Sequence, residues 1–194
     1  GFINYSQSSN KTSFNSSWDD VLNDFYIPAL SCSKKYYRVA GYFSSTSIAL
    51  AAKGVRNLLK NGGTMKMVVG LKIRKEDQEV IKEGNMTEED IVSKNILSEL
   101  DKFNEKDFSL QRLRVFSWML KRNLLEIKFA ALNDSRGIYH PKIGILEDDD
   151  GNAISFNGSN NETASGWLHN VEVFHVYRKW GGDKNHYEDD LVYF

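Results

Sequence analysis

A histidine and a lysine two positions apart, in His140-Pro141-Lys142, are followed by Gly158-Ser159-Asn160-Asn161 and then by Glu172. Cleaving a phosphodiester needs a nucleophile or activated water, positive charge against the non-bridging oxygens, and an acid for the leaving oxygen. These residue types meet that list. Imidazole, with an unperturbed pKa of about 6.5, attacks when neutral and donates a proton when charged. Lysine supplies the positive charge, and the Ser159 hydroxyl and Asn161 amide supply hydrogen bonds. On an extended strand, residues two apart project to one face, so His140 and Lys142 can touch the same phosphate while Pro141 turns away. Glu172, read onto the next strand, can hold the imidazole tautomer as carboxylates do for catalytic histidines.

Each residue also has a plain structural use. Gly, Ser and Asn are favoured at hairpin exits, where their side chains cap turns, and Glu172 can equally be an edge-strand surface charge. An isolated H-x-K pair on a strand is common. Its join to Gly-Ser-x-Asn and a following acid, in a strand-turn-strand context, makes the chemical reading the stronger one. The other histidines, His169, His175 and His186, form no metal-ligand spacing, and no carboxylate cluster stands out, so neither metal nor cofactor is predicted.

The elements that must position these groups follow from periodicity. Tyr36 to Ser44 is aromatic and β-branched and reads as a strand. Ser47 to Lys60 is helix-like with a Gly62-Gly63 stop, and Met65 to Leu71 returns to strand, giving a βαβ unit with a parallel crossover. Residues 76–106 are read as an amphipathic helical region and 110–120 as another helix. Residues 124–132, 139–146, 153–156 and 171–177 are read as strands, with Asp149-Asp150-Gly151-Asn152 as the turn of a hairpin. Trp18, Val21, Leu22 and Phe25 recur at helical spacing behind Ser17 as N-cap, until Pro28 interrupts. The expected fold is an α/β sandwich, a central mixed and largely parallel sheet flanked by helices.

Residues 5–17 are polar and aperiodic, so 1–17 is expected to be a weakly ordered arm before one domain over 18–194. Starting at Gly1 and stopping on Leu191-Val192-Tyr193-Phe194, the chain reads as a domain excised from a longer protein. The 25 basic and 26 acidic side chains leave a net charge of −1, so any polyanion site must be local. Residues 112–142 are locally basic, through Arg112, Arg114, Lys121, Arg122, Lys128, Arg136 and Lys142, and either flank a cleft or form a solvated face. Tyr42, Phe43 and Trp167 are candidates for base stacking. Cys32 is the single cysteine, which excludes an internal disulfide and fits a reducing, cytoplasmic location. No apolar run approaches the ~18–20 residues of a spanning helix, and no signal-peptide layout opens the chain.

The ordered set His140-x-Lys142, Gly158-Ser159-x-Asn161 and Glu172 resembles the active-site motif of the phospholipase D superfamily. Arg38-Val39-Ala40-Gly41-Tyr42-Phe43-Ser44 and the βαβ layout extend the likeness to nuclease domains of that type found beside helicase or restriction modules. The resemblance implies a metal-independent phosphodiesterase acting on nucleic acid, DNA before RNA, within a restriction or defence protein. It places a phosphohistidine-forming nucleophile on His140, phosphate binding on Lys142, Ser159 and Asn161, and orientation of His140 on Glu172. Glu147 stands where the motif has Asp, a position regarded as structural. With a single motif in the chain, the resemblance implies a homodimer whose two motifs meet at the interface, with no membrane partner and a fused or associated helicase domain. Two alternatives stand beside this: a catalytically inactive nucleic-acid-binding or dimerisation module, and a phospholipid phosphodiesterase.

Overall fold

The computed structural model describes residues 1–8, 11–41, 51–70, 115, 118–130, 140–159 and 171–194. Strand β2 (Lys35–Ala40) alternates Tyr36, Arg38 and Ala40 on one face with Tyr37 and Val39 on the other. Helix α3 (Ala52–Lys60) buries Val55 and Leu58 and leads to β3 (Thr64–Gly70), which pairs parallel to β2 as the βαβ pattern requires. β4 (Leu125–Ala130) extends this parallel part.

The rest of the sheet runs the other way. β5 (Ile143–Glu147) lies antiparallel to β2, β6 (Ala153–Gly158) forms the expected hairpin with β5, and β7 (Val173–Arg178) lies antiparallel to β6. With β1 (Ser13–Asn15) at one edge, the seven strands among the described residues are ordered β1-β7-β6-β5-β2-β3-β4. Two pairings are parallel and four antiparallel, so the expected largely parallel sheet is corrected to a mostly antiparallel one. Among the described residues only the βαβ unit and β4 contribute parallel pairs; β5 and β6 form a hairpin, and the β2–β5 and β1–β7 pairs join strands distant in sequence.

The N-terminal residues also differ from the expected arm. α1 (Phe2–Ser8) buries Phe2, and β1 (Ser13–Asn15) adds an antiparallel edge strand to β7, with Phe14 buried. Burying these two rings gives this polar segment the apolar area that offsets its ordering entropy. A π-helical turn (Leu22–Tyr26) runs directly into α2 (Ile27–Cys32). Pro28 does not end the helix, because it sits in the first turn of α2, where its missing N–H is tolerated. Trp18 is exposed rather than packed.

One face of the sheet carries the main core: Phe14, Phe25, Tyr26, Tyr36, Phe156 and Phe174 with residues of α2 and α3. On the other face, α4 (Lys184–Leu191) covers Ile145 and Ala153 with Tyr187. At the turn between β5 and β6, Gly151 takes φ 77°, and the buried Asp148 carboxylate accepts from the N–H groups of Phe2, Asp150 and Asn152. The helical regions expected over 76–106 and 110–120 lie outside the described residues, except that 115 and 118–121 are helical. No described helix is long and apolar enough to cross a membrane.

Candidate active site

His140 and Lys142 precede β5 rather than lying on it, and Glu172 precedes β7 by one residue. All three are therefore on chain entering or leaving one end of the sheet. The alternation nonetheless continues past the strand start: Gly158 N–H donates to the Lys142 carbonyl at 3.4 Å. Lys142 thus shares the face of Gly144, and Glu172 the face of Phe174.

The Lys142 Nζ lies 2.7 Å from Nδ1 and 2.9 Å from Nε2 of His140, and donates to the His140 carbonyl at 3.1 Å. A neutral imidazole has one unprotonated nitrogen, so at most one of the two ring contacts is a hydrogen bond donated by the ammonium, and which one depends on the tautomer. His140 is exposed while Lys142 is buried, which leaves the imidazole open to an incoming ligand and the ammonium beneath it. Burial pushes the Lys142 ammonium below the ordinary lysine range; the Glu172 carboxylate opposes this and the Arg38 guanidinium adds to it.

Ser159 donates from its hydroxyl to the Glu172 carboxylate and accepts from the Val173 N–H at 3.0 Å, while its own N–H donates to the Val173 carbonyl at 2.9 Å. Glu172 is in turn fixed by its backbone: its N–H donates to the Ser16 hydroxyl at 2.8 Å, and Ser16 N–H donates to its carbonyl at 3.0 Å. Asn161 lies outside the described residues, as do Tyr42, Phe43 and Trp167. Of the five expected site residues, four thus come to one sheet end.

Glu147 goes elsewhere. It sits at the opposite end of β5, on the other face, and pairs with Lys35 at 2.6 Å. About 3.3 Å per residue puts it ~16 Å along the strand from Lys142. In the basic run, Lys121, Arg122 and Lys128 are exposed, and Lys128 pairs with Glu126 at 3.5 Å on β4, three strands from β5. Arg112, Arg114 and Arg136 lie outside the described residues.

Two contributors escaped the sequence reading. Ser16 comes from the segment taken for a weakly ordered arm. Arg38 is fully buried on the site's face, and its one sequence signal is a charge at a core-facing position between Tyr36 and Ala40. Among the described residues, no group of three or more His, Cys, Asp or Glu is placed to hold a metal ion.

Solved structures share this architecture. NucT from Helicobacter pylori superposes with a TM-score of 0.50 at 14% identity, over 93% of this chain and 94% of that one. Phosphatidylserine synthase from Haemophilus influenzae gives 0.53 at 18% identity, over 93% of this chain and 37% of the synthase. Nuc from Salmonella typhimurium, a phospholipase D family member, gives 0.43 at 17% identity, over 88% of this chain and 86% of that one. On the likeness to NucT and the synthase, the chain has the phospholipase D-like fold, and at these identities the likeness is one of fold. It spans nearly all of NucT and little more than a third of the synthase. No protein-family model matches the chain, and no curated protein matches it by sequence.

Proposed function

We propose that this chain is a phosphodiesterase that cleaves nucleic acid, DNA in the first place, through a covalent phosphohistidine on His140 and without a metal ion. The observation that carries the reading is the Lys142 ammonium held against the ring of an exposed His140 at the sheet end where Ser159 and Glu172 also meet. That arrangement puts a nucleophile next to the positive charge that a phosphoryl group needs.

The chemistry runs in two displacements. An unprotonated ring nitrogen of His140 attacks phosphorus, a P–N bond forms, and the P–O bond to the leaving oxygen breaks. The proton for that oxygen comes from an acid, which we assign to His140 of a second copy of the chain. That imidazole, now neutral, takes a proton from water, the hydroxide attacks phosphorus, and the P–N bond breaks with its electron pair returning to the first imidazole. Lys142 faces the non-bridging oxygens throughout, with Ser159 and Asn161 as hydrogen-bonding partners and Glu172 orienting His140. A homodimer with the site at its interface follows from this division of labour; a place within a restriction or defence protein beside a helicase domain rests on the resemblance of residues 38–44 and the βαβ layout alone.

The test is cleavage of single-stranded and duplex DNA in EDTA, alongside phospholipid vesicles. DNA cleavage that persists in the chelator and disappears in His140→Ala is expected. Dependence on added divalent metal, or full activity in His140→Ala, overturns the mechanism. DNA binding without cleavage, unchanged by that substitution, identifies a binding module instead.

A further inference from the structure

Trp18, read from the sequence as part of a helical apolar stripe, stands in water instead. At 76% exposed it is the most open aromatic ring among the described residues. A single exposed apolar side chain is ordinary on a protein surface. This one is set apart by how it is held and by where it stands.

The turn that carries it is tied from several sides. The Asn15 carbonyl accepts from the N–H groups of Trp18 at 3.2 Å and Asp19 at 2.9 Å, and the Asn15 side-chain oxygen accepts from Ser17 N–H at 2.9 Å. Asn15 N–H donates to the Asp19 carboxylate at 2.8 Å, and Lys11 pairs with the same carboxylate. The main chain on both sides of the indole is thereby fixed, so a ligand on the ring has little left to order.

A line of main-chain bonds joins this turn to the site across the sheet end. Gly158 N–H donates to the Lys142 carbonyl at 3.4 Å, Ser159 N–H to the Val173 carbonyl at 2.9 Å, and Ser16 N–H to the Glu172 carbonyl at 3.0 Å. From β5 across β6 and β7 to β1 is three strand spacings, about 14 Å. Trp18 lies two residues beyond Ser16, at most about 8 Å further. A single strand that crosses both places spans several nucleotides, the length such strands occupy in a binding groove.

Size and charge select the occupant. The apolar side chains exposed beside Trp18 are Val171 and Val173, so the patch offers roughly a few hundred Å², against ~800 Å² per partner in a stable protein interface. It suits one flat ring system. The charged side chains on and next to the turn are Lys11, Asp19, Asp20 and Asp24, with Asp19 held by Lys11 and Asn15 and Asp20 accepting from Asn23. Acids outnumber the base here, which disfavours a phosphate but leaves the uncharged face of a base free to stack.

We propose that Trp18 is a stacking platform for an unpaired base of the strand whose phosphodiester lies at His140, the phosphates following Lys142 while one base turns onto the indole. The proposal rests on the nucleic-acid reading of that site. In a duplex the interior bases are already stacked on both faces, so the platform selects single-stranded substrate.

The test is binding, read by fluorescence anisotropy in a His140→Ala background so that no strand is cut. The probes are a single-stranded DNA, its duplex, and a strand of equal length built from abasic sites. Adding Trp18→Ala is expected to weaken the single strand about tenfold and to leave the duplex and the abasic strand within about twofold, whereas Trp18→Phe, which keeps a ring, stays within about threefold throughout. The slope of log affinity against log salt is expected to stay the same, because a stack releases no counterions. Undiminished single-strand affinity in Trp18→Ala overturns the proposal, as does an equal loss on the abasic strand. Sedimentation showing that Trp18→Ala splits a dimer also overturns it and gives the ring to a second copy. Should Trp18→Ala fail to fold, Trp18→Leu, apolar but without a ring, takes its place under the same criteria. Wild type that cleaves nothing fails the phosphodiesterase reading and leaves these affinities to judge Trp18; a chain that binds no single strand overturns the platform itself.

Discussion

At the far end of β5, Glu147 meets Lys35 at 2.6 Å, and Lys34 pairs with Asp149 in reach of water. At the near end, Lys142, Glu172 and Arg38 are withdrawn from water together, and the Lys142 ammonium is held against an exposed imidazole. Both ends bring acids and bases together across the same strand. The first set is matched one to one in high dielectric, where each pair contributes little. The second gathers Lys142, Glu172 and Arg38 in a setting where charge interactions are stronger and desolvation costs more. One end of the strand is thus a closed arrangement, and the other leaves an imidazole open to water over a buried ammonium, where we place the phosphodiester.

Lys142→Gln should break this contrast outright, lowering kcat/KM for DNA by about 10²–10³-fold with the fold retained, as expected when a charge aimed at the transition state is removed. Circular dichroism beside single-turnover rates checks both parts. In wild type, activity should fall on the basic side while an ordinary lysine would still be charged, because burial lowers the Lys142 value. The sign for stability is opposite: between that lowered value and the ordinary one, the unfolded chain holds the extra proton, so Lys142 makes unfolding harder as pH rises. Denaturant melts over that range test it.

Asp148→Ala addresses the far end. The carboxylate accepts from three backbone N–H groups, including Phe2, so its loss should cost about 2–3 kcal/mol of stability while the pH profile of cleavage stays in place. Smallest of all, Glu147→Asp should change stability by less than about 1 kcal/mol and leave kcat within about twofold, since its partner Lys35 is half-exposed. A large catalytic loss in Glu147→Asp would erase the distinction between the two ends.

The near end was readable in sequence to the extent that its logic is local. His140-x-Lys142 is one extended segment, the Asp149–Asn152 turn fixes the β5–β6 hairpin, and period-2 alternation assigns faces. Strand direction across the sheet is not local, and the mostly antiparallel pairing depends on where β7 and β1 dock. β1 is three residues long with one buried ring, Phe14, and becomes a strand only by pairing with β7. That pairing also delivers Ser16 to Glu172. α4 was unmarked because it buries only Tyr187 and Asp190, too few positions to make a stripe. Arg38 looked like an ordinary strand residue, since charge in a core is visible only once Gly144 and Phe156 are seen opposite it.

The most direct test of covalent catalysis by His140 is the stereochemical course at phosphorus, followed with a DNA phosphorothioate of defined configuration whose product is made chiral with isotopic water. Two in-line displacements through a phosphohistidine give net retention, which is the expected result. Net inversion would mean that water attacks the diester directly, and it would contradict His140 as nucleophile.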